Sequence, residues 1–417
     1  MSRRAWVIGA GLAGLSAAVA LTEAGFAVTL VDGAAQAGGR CRSYHDPQLG
    51  RMIDNGNHLV LSGNRAVASY LATIGASDRL SGPDAADFAF VDRASGERWS
   101  FRPNDGRLPW WVLAPARRVP GTRLNDYLRL APLMRGGRDD TVGDRVDSHG
   151  RVWTRLIEPV LLAALNTAPA EGSARLTAAV LRESLARGGA AMQPRIAEPT
   201  LAAAFVDPAL AWLARGGASV TLGQRLRGLT FDGLRVSALD FGDGLVAVAA
   251  DERVVLAVPP WVAATLVPDL TVPDDFRAIV NAHFAFTPPP GTPAMLGVIG
   301  GTAEWIFAFP NRLSVTVSAA EHLVDRDREE LARAFWADIA AVHGLPAALP
   351  PWQIVKEKRA TFAATPAQDA KRPPARTRWN NLFLAGDWTQ TGLPATIEGA
   401  LRSGTVAARL ASATVAV

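Results

Sequence analysis

The sequence predicts an α/β fold in which a Rossmann-like dinucleotide-binding domain is interrupted by a second, α+β domain. Three features point there. The chain opens with a strand, a glycine-rich turn, a helix and a second strand. It closes with a short apolar strand that ends in Gly386-Asp387 and runs into a small-residue helix. Between these ends, helical and β-rich stretches alternate without an internal repeat or a low-complexity tract.

The opening element carries the most information. Trp6 to Ile8 is a short strand, and Gly9-Ala-Gly11-Leu-Ala-Gly14 follows as G-x-G-x-x-G. Leu12 to Ala24 has helix-forming composition, and Gly25 is placed to end it. Ala27 to Val31 is a second strand that stops at Asp32, eighteen residues after Gly14. In this setting Gly9 permits the tight turn, Gly11 lets a pyrophosphate approach the backbone, and Gly14 lets helix and strand pack closely. The phosphates meet the positive end of the helix, and Asp32 accepts hydrogen bonds from the adenosine ribose. The basic start and apolar run also have the look of a signal peptide or a membrane span, but neither accounts for the glycine spacing and the acid together.

Composition bounds the rest. A chain of 417 residues, 49% hydrophobic and 20% charged, can bury a substantial core in two domains or one large one. The net charge of +4 is carried almost wholly by arginine and fits an anionic membrane surface or an anionic substrate. No aromatic-plus-basic RNA motif and no DNA-reading helix pattern occurs, so no nucleic-acid partner is expected. The single cysteine, Cys41, excludes a disulfide framework and a Cys-built zinc site and favours a reducing, cytoplasmic setting. The six histidines show no ligand spacing, so no metal is expected.

Shortly after Asp32 comes "GGRCRS", Gly38 to Ser43, where paired glycines allow close backbone approach and Arg40 offers a forked cation to an anionic ligand. "IDNGNHLVLSGN", Ile53 to Asn64, follows. The Gly-Gly-Arg extension resembles that of FAD enzymes in the amine oxidase and phytoene desaturase superfamily. The resemblance implies a glutathione-reductase-like FAD-binding domain with FAD held non-covalently. Gly39 and Arg40 would then serve the ADP half, and Gly56, Asn57 and His58 would pass beside the isoalloxazine ring. It also implies that the chain returns at its end to close the site. Gly386 and Asp387 would cap the ribityl-phosphate side, and Thr396 and Ile397 would begin a helix aimed at the flavin O2 edge. Cys41 lies at the ADP end and is expected to be a small buried filler.

The middle of the chain divides accordingly. Gly216 to Pro260 reads as several short strands with turns, the last rejoining the first domain. Segments 1–85, 205–270 and 375–417 are assigned to FAD binding, and 86–204 and 271–374 to a substrate domain. The first substrate segment reads as helical, punctuated by Pro and Gly. The second has strands such as "AIVNAHFAF" and "EWIFAFPNRLSVTVSA", then an amphipathic helix from about Arg328 to Val342.

Five stretches resemble the hydroxysqualene dehydroxylase family: "DNGNHLVLSGN", "LPWWVLAPARRVPGTRLNDYL", "EPVLLAALNTAPAEGSA", "EKRATFAATPAQ" and "NLFLAGDWTQTGLPATIEGALRSG". They span nearly the whole chain. Two positions depart from the family pattern: Asn57 stands where glutamine is expected, and Asp32 where many relatives have glutamate. The resemblance implies a C30 isoprenoid substrate, an allylic alcohol that loses its hydroxyl and gains hydride from reduced flavin, with a separate, unidentified electron donor. A general acid must protonate the hydroxyl. The candidates are His58, His283 and Asp54, in that order. Asn281 and Phe284 flank His283 as candidate substrate contacts, and Asn166 in "LNTAP" is a candidate for binding the hydroxyl.

Trp110 and Trp111 sit among arginines between Arg107 and Arg138, a pattern suited to peripheral docking on an anionic membrane surface or, alternatively, to a core helix pair. Three other functions share the fold: a carotenoid-type desaturase, an amine oxidase and a non-redox lipid-binding escort. An amine oxidase is disfavoured by only three tyrosines, all before residue 130, and three lysines, all after 355. An escort is disfavoured by the intact glycine and acid set.

Overall fold

The computed structural model describes residues 3–413, so residues 1–2 and 414–417 of the outer FAD-binding segments lie outside the described residues. The opening unit is β1 (Arg4–Ile8), α1 (Leu12–Glu23) and β2 (Ala27–Asp32). Much later segments complete its sheet: β3 (Ser219–Leu222), β4 (Arg253–Leu256) and β5 (Leu382–Leu384). The order is β3-β2-β1-β4-β5, and every pair is parallel. Parallel strands need cover on both faces, which is why β1, β4 and β5 are almost wholly apolar.

One layer of that cover is α1 against the C-terminal helix α2 (Ile397–Ala413). A Cβ on Gly404 would lie 2.2 Å from the Ala13 carbonyl oxygen, so the two helices approach backbone to backbone. Ser16 Oγ donates to the Leu401 carbonyl at 2.8 Å across the same contact. Helix α1 is therefore buried nearly all round, which explains its likeness in sequence to a membrane span. No helix among the described residues is long and apolar enough to cross a membrane.

A second sheet has seven strands in the order Trp352–Phe362, Phe276–Phe284, Arg312–Val317, Trp305–Phe309, Met295–Ile299, Phe88–Asp92 and Arg98–Phe101. The helix Arg328–His343 covers one face through Leu331, Phe335, Trp336 and Ile339. The other face meets an aromatic cluster that includes Phe90, Trp99, Trp111, Trp305 and Phe307. The segment from residue 86, expected to be helical, instead begins with an antiparallel hairpin, Phe88–Asp92 with Arg98–Phe101. Its turn is closed by Asp92, whose Oδ1 accepts from the Ala94 and Ser95 amides at 3.0 Å. Short helices and 3-10 turns follow, as the Pro and Gly spacing predicts.

Between β3 and β4 runs a three-stranded antiparallel meander, Gly228–Asp232, Arg235–Asp240 and Leu245–Ala247. The strand Pro194–Ala197 pairs with both Leu59–Leu61 and Leu80–Ser81, tying the end of the helical segment back to the first.

Candidate functional site

The glycine-rich turn leaves β1 and enters α1 under close steric control. A Cβ on Gly14 would lie 1.7 Å from the Gly9 carbonyl oxygen, so only glycine fits there. Around Gly11 nothing lies within 4 Å of an added Cβ. The helix begins at Gly11 without a side-chain cap and with no acid in its first turn. An open space over an uncapped helix N-terminus is a cradle for an anion such as a pyrophosphate. Asp32 holds the turn in place: its Oδ2 accepts from the Ala10 amide at 2.6 Å and its Oδ1 from the Ala34 amide at 2.7 Å.

The Gly-Gly-Arg turn docks on this one. The Gly38 amide donates to the Ala10 carbonyl at 2.7 Å, and Gly38 bridges to Gly11. Arg40 then reaches to the far end of the chain. Its Nη2 donates to Asp387 Oδ2 at 2.7 Å, and its Nη1 to the Ala360 carbonyl at 2.5 Å. Gly386 has φ +152°, and a Cβ there would strike the Trp388 ring at 2.2 Å, so glycine is required just before the acid. Gly386 is further held by its amide, which donates to Ser403 Oγ at 2.8 Å. Arg372, which no motif marked, braces the same turn: it is buried and donates to the Asp387 and Thr389 carbonyls at 3.0 and 2.8 Å. Thr396 caps α2, its Oγ1 accepting from the Gly399 amide at 3.0 Å, and Ile397 is buried as the first helical residue.

Opposite this turn, Gly56 and Asn57 meet the second sheet. Asn281 lies so close to Gly56 that a Cβ there would be 3.0 Å from its Nδ2. Thr316 Oγ1 donates to Asn281 Oδ1 at 2.8 Å and accepts from Asn57 Nδ2 at 3.1 Å. Asn57 Oδ1 is buried and has no hydrogen-bond partner among the described residues. A buried acceptor left open is costly unless a ligand donor meets it. The cradle at Gly11, the Arg40–Asp387 pair and the open Asn57 acceptor fit a dinucleotide carrying a polar ring.

The proton-donor candidates separate. His58 is half-buried against the Arg40 backbone, where burial and then the Arg40 cation hold its imidazole down to about 4. His283 is fully buried, with Nδ1 2.9 Å from Ser314 Oγ and Nε2 3.0 Å from the Asp54 carbonyl oxygen. Burial and then Arg312 hold it down to about 3. Both rings are neutral near pH 7, and His283 has both nitrogens engaged, so its geometry is that of a latch between the sheet and the Arg51–Asp54 strand. Burial raises the Asp54 carboxyl above its ordinary value, against hydrogen bonds from Ser43 and the Leu201 amide and the charge of Arg312. Asp54 Oδ1 is occupied by Ser43 Oγ at 2.6 Å and the Leu201 amide at 2.9 Å.

Two substrate candidates need correction. Phe284 follows His283 on the strand, so its side chain points to the opposite face, where it packs on Trp336 at 5.4 Å between ring centroids. It is a core residue. Asn166 ends its helix with φ +47°, and its side chain staples two distant segments: Oδ1 accepts from the Ala319 amide at 2.7 Å and Nδ2 donates to Thr361 Oγ1 at 2.9 Å. Its polar atoms are committed to the fold. The Trp110–Trp111 pair also splits, because Trp111 is buried against Phe101 and Tyr127 whereas Trp110 is exposed.

One carboxyl escaped the sequence reading. Glu304 precedes Trp305, and its Oε2 accepts from the Ser318 amide at 2.8 Å, one residue before the Ala319 amide that bonds Asn166. Burial pushes it up to about 7. No motif surrounds it; only its packing marks it. Cys41 is buried, and its thiol is pushed up to about 12.

The family model for flavin containing amine oxidoreductases matches residues 12–411. The hydroxysqualene dehydroxylase of Rhodopseudomonas palustris is 54% identical over 411 residues, covering 98% of both chains. That of Sinorhizobium fredii is 53% identical over 411 residues, covering 99% of both. Among solved structures, cyclohexylamine oxidase from Brevibacterium oxydans superposes with a TM-score of 0.71 over 99% of both chains at 16% identity, a likeness of fold.

Proposed function

The chain belongs to the hydroxysqualene dehydroxylase family of the flavin-containing amine oxidoreductases, and from that premise we propose that it is an FAD-dependent oxidoreductase converting hydroxysqualene to squalene. The observation that best supports this reading is the assembly of the FAD cradle from both ends of the chain against the polar strip Gly56–Asn57–Asn281–Thr316. Beside that strip the same sheet face carries the aromatic cluster with Trp305 and Phe307, a wall suited to a hydrocarbon.

In the reaction the allylic C–O bond breaks, the hydroxyl leaves as water after taking a proton, and hydride forms the new C–H bond. Reduced FAD, when bound, supplies that hydride. The protein's own part is to hold, orient and exclude water. We propose that Gly9, Gly11 and Gly14 seat the pyrophosphate and Asp32 the ribose. Gly39, Arg40, Gly386 and Asp387 hold the ribityl-phosphate side, and Gly56, Asn57, Thr396 and Ile397 the ring. Asn281 faces the reacting edge. Aromatic faces stabilise the cationic centre that forms as water departs. His58 and His283 are neutral at pH 7, so the proton is assigned to a carboxyl that burial holds above its ordinary value, Asp54 or Glu304, each with one oxygen already accepting a backbone amide. An external electron donor must restore the reduced state after each turnover.

Segments 1–85, 205–270 and 375–417 are proposed as the FAD-binding domain, and 86–204 with 271–374 as the substrate-binding domain. The place of action is proposed to be the cytoplasmic side of an anionic membrane, because a C30 hydrocarbon partitions into bilayers. The direct test is anaerobic incubation of the photoreduced protein with hydroxysqualene. Squalene should appear in step with flavin reoxidation. Reduced flavin that persists without squalene rules the reaction out, and substrate-dependent bleaching of oxidised flavin with polyene formation indicates a desaturase.

A further inference from the structure

Seven large hydrophobic side chains stand exposed among the described residues, and four of them, Leu108, Trp110, Leu113 and Leu128, lie on one stretch of chain. Their relative exposures are 80%, 50%, 62% and 58%. The backbone explains the clustering. After Pro109 the chain forms a 3-10 turn, Trp110–Leu113, in which residues three apart share a side. Trp110 and Leu113 therefore point outward together. Trp111, a third of a turn away, points inward and packs edge-on against Phe101 and Tyr127 at 5.1 and 5.3 Å. The turn is anchored by its inner tryptophan and held from behind by Arg118, which donates to the Val112 and Leu113 carbonyls at 2.6 and 3.1 Å. The tip is anchored on its inner side and apolar on its outer side.

The charge along this stretch is mostly of one sign, although an exposed acid, Asp105, precedes it and Asp139 and Asp140 follow it. From Arg107 to Arg138 the chain carries seven arginines and a single acid, Asp126, which is itself spent on the Arg123 amide at 2.8 Å. Arg107, Arg123 and Arg129 are exposed, and Arg117 lies over the Trp110 ring at 4.7 Å. Arg117 also lines a 490 Å³ cavity with an apolar floor of Phe90, Trp99 and Leu296 and a rim of Arg98, Arg102 and Arg117, of which Arg102 is paired with Asp87 at 2.7 Å.

We propose that this surface is the membrane-docking element: Leu108, Trp110 and Leu113 insert into an anionic phospholipid bilayer while the arginines meet its headgroups. Aromatic and aliphatic tips ringed by cations are what an anionic interface binds. A protein partner with an apolar face would not by itself account for seven arginines against one acid. The inference rests on the proposed action on a bilayer-dissolved substrate. It adds a consequence: the turn that enters lipid is continuous, through Trp111, with the aromatic cluster that walls the substrate side of the sheet. Substrate is then drawn from the bilayer at this turn rather than from water.

The test is sedimentation with vesicles of phosphatidylcholine alone or mixed with phosphatidylglycerol, using the FAD-loaded protein. The combined variant Leu108→Ser, Trp110→Ser, Leu113→Ser should lose about tenfold or more in partitioning with little change in melting temperature, since Leu108 and Leu113 are exposed and Trp110 is half so. Arg107→Ala, Arg123→Ala and Arg129→Ala together should lose about a hundredfold on mixed vesicles and little on phosphatidylcholine, and they test the surface independently. A control, Leu234→Ser with Leu245→Ser, should change nothing. Wild-type partitioning in both variant sets overturns the proposal. So does a wild-type dimer in solution that the triple variant dissociates, because the patch then covers a second copy of the chain. Sedimentation needs no turnover, so its failure leaves the assigned reaction standing, and a failure to form squalene in detergent leaves the docking result standing.

Discussion

Replacing two glycines of the same turn by alanine should have opposite consequences. At Gly14 the new methyl would sit 1.7 Å from the Gly9 carbonyl oxygen and 2.9 Å from its carbon, both backbone atoms. Helix and turn must separate by well over an ångström, and overpacking against backbone costs about 3 kcal/mol. At Gly11 the methyl meets nothing within 4 Å, and φ −72° with ψ 176° is open to any residue. Gly11→Ala should leave the FAD-free protein as stable as wild type or gain about 0.4–1 kcal/mol by restricting the unfolded chain. Its cost appears only with the cofactor, because the methyl fills the cradle over the helix N-terminus. A tenfold loss of FAD affinity, about 1.4 kcal/mol, is the least expected. Thermal melts of both proteins with and without FAD, and titration of stripped protein with FAD, separate the two effects. Gly14→Ala should melt early in both states, whereas Gly11→Ala should lose only the FAD-induced stabilisation. If stripped Gly11→Ala melts well below wild type, or binds FAD within twofold of it, the open space at Gly11 is not where the pyrophosphate lies.

Four further outcomes are expected. Asp387→Asn weakens the charge-assisted contact with Arg40 that joins the two ends of the cradle, and should weaken FAD about tenfold or more in the same titration; unchanged affinity would confine Asp387 to a structural role. Phe284→Ala should cost about 3–5 kcal/mol in denaturant melts, yet leave the KM for hydroxysqualene unchanged, because the ring packs on Trp336 behind the sheet. His58 and His283 are held to about 4 and about 3, below the ordinary 6.5, so their stabilising contribution is complete above pH 6.5 and is lost as pH falls through those values; His283→Asn should flatten that acid limb, and an identical pH–stability curve would contradict the latch. Burial holds Glu304 up to about 7, so if it is the proton donor squalene formation should fall as pH rises through neutrality and Glu304→Gln should remove most of the rate while FAD binding persists; an unchanged rate and pH profile in Glu304→Gln returns the role to Asp54.

Much of the cofactor end was legible in the sequence because its rules are local. The strand–turn–helix of Arg4–Glu23, the glycine spacing and the acid at the end of β2 are set by steric demands among neighbours in the chain. The Gly386-Asp387 turn is equally local, since φ +152° excludes other residues whatever lies around it. What those turns meet was not local. Arg40 finds Asp387 across 347 positions, and Asn166 finds Thr361 across 195. Period-two alternation tells which residues share a strand face but not which face meets the site, so His283 and Phe284 were assigned together although the sheet turns them apart. Trp110 and Trp111 are alike as residues; a 3-10 turn sends one to the surface and the other to the core. Glu304 has no motif at all, and it is burial that raises its carboxyl above the ordinary value. Chain geometry determined the cradle, whereas exposure, partners and acidity depend on packing between segments far apart in the chain and were decided only by the tertiary structure.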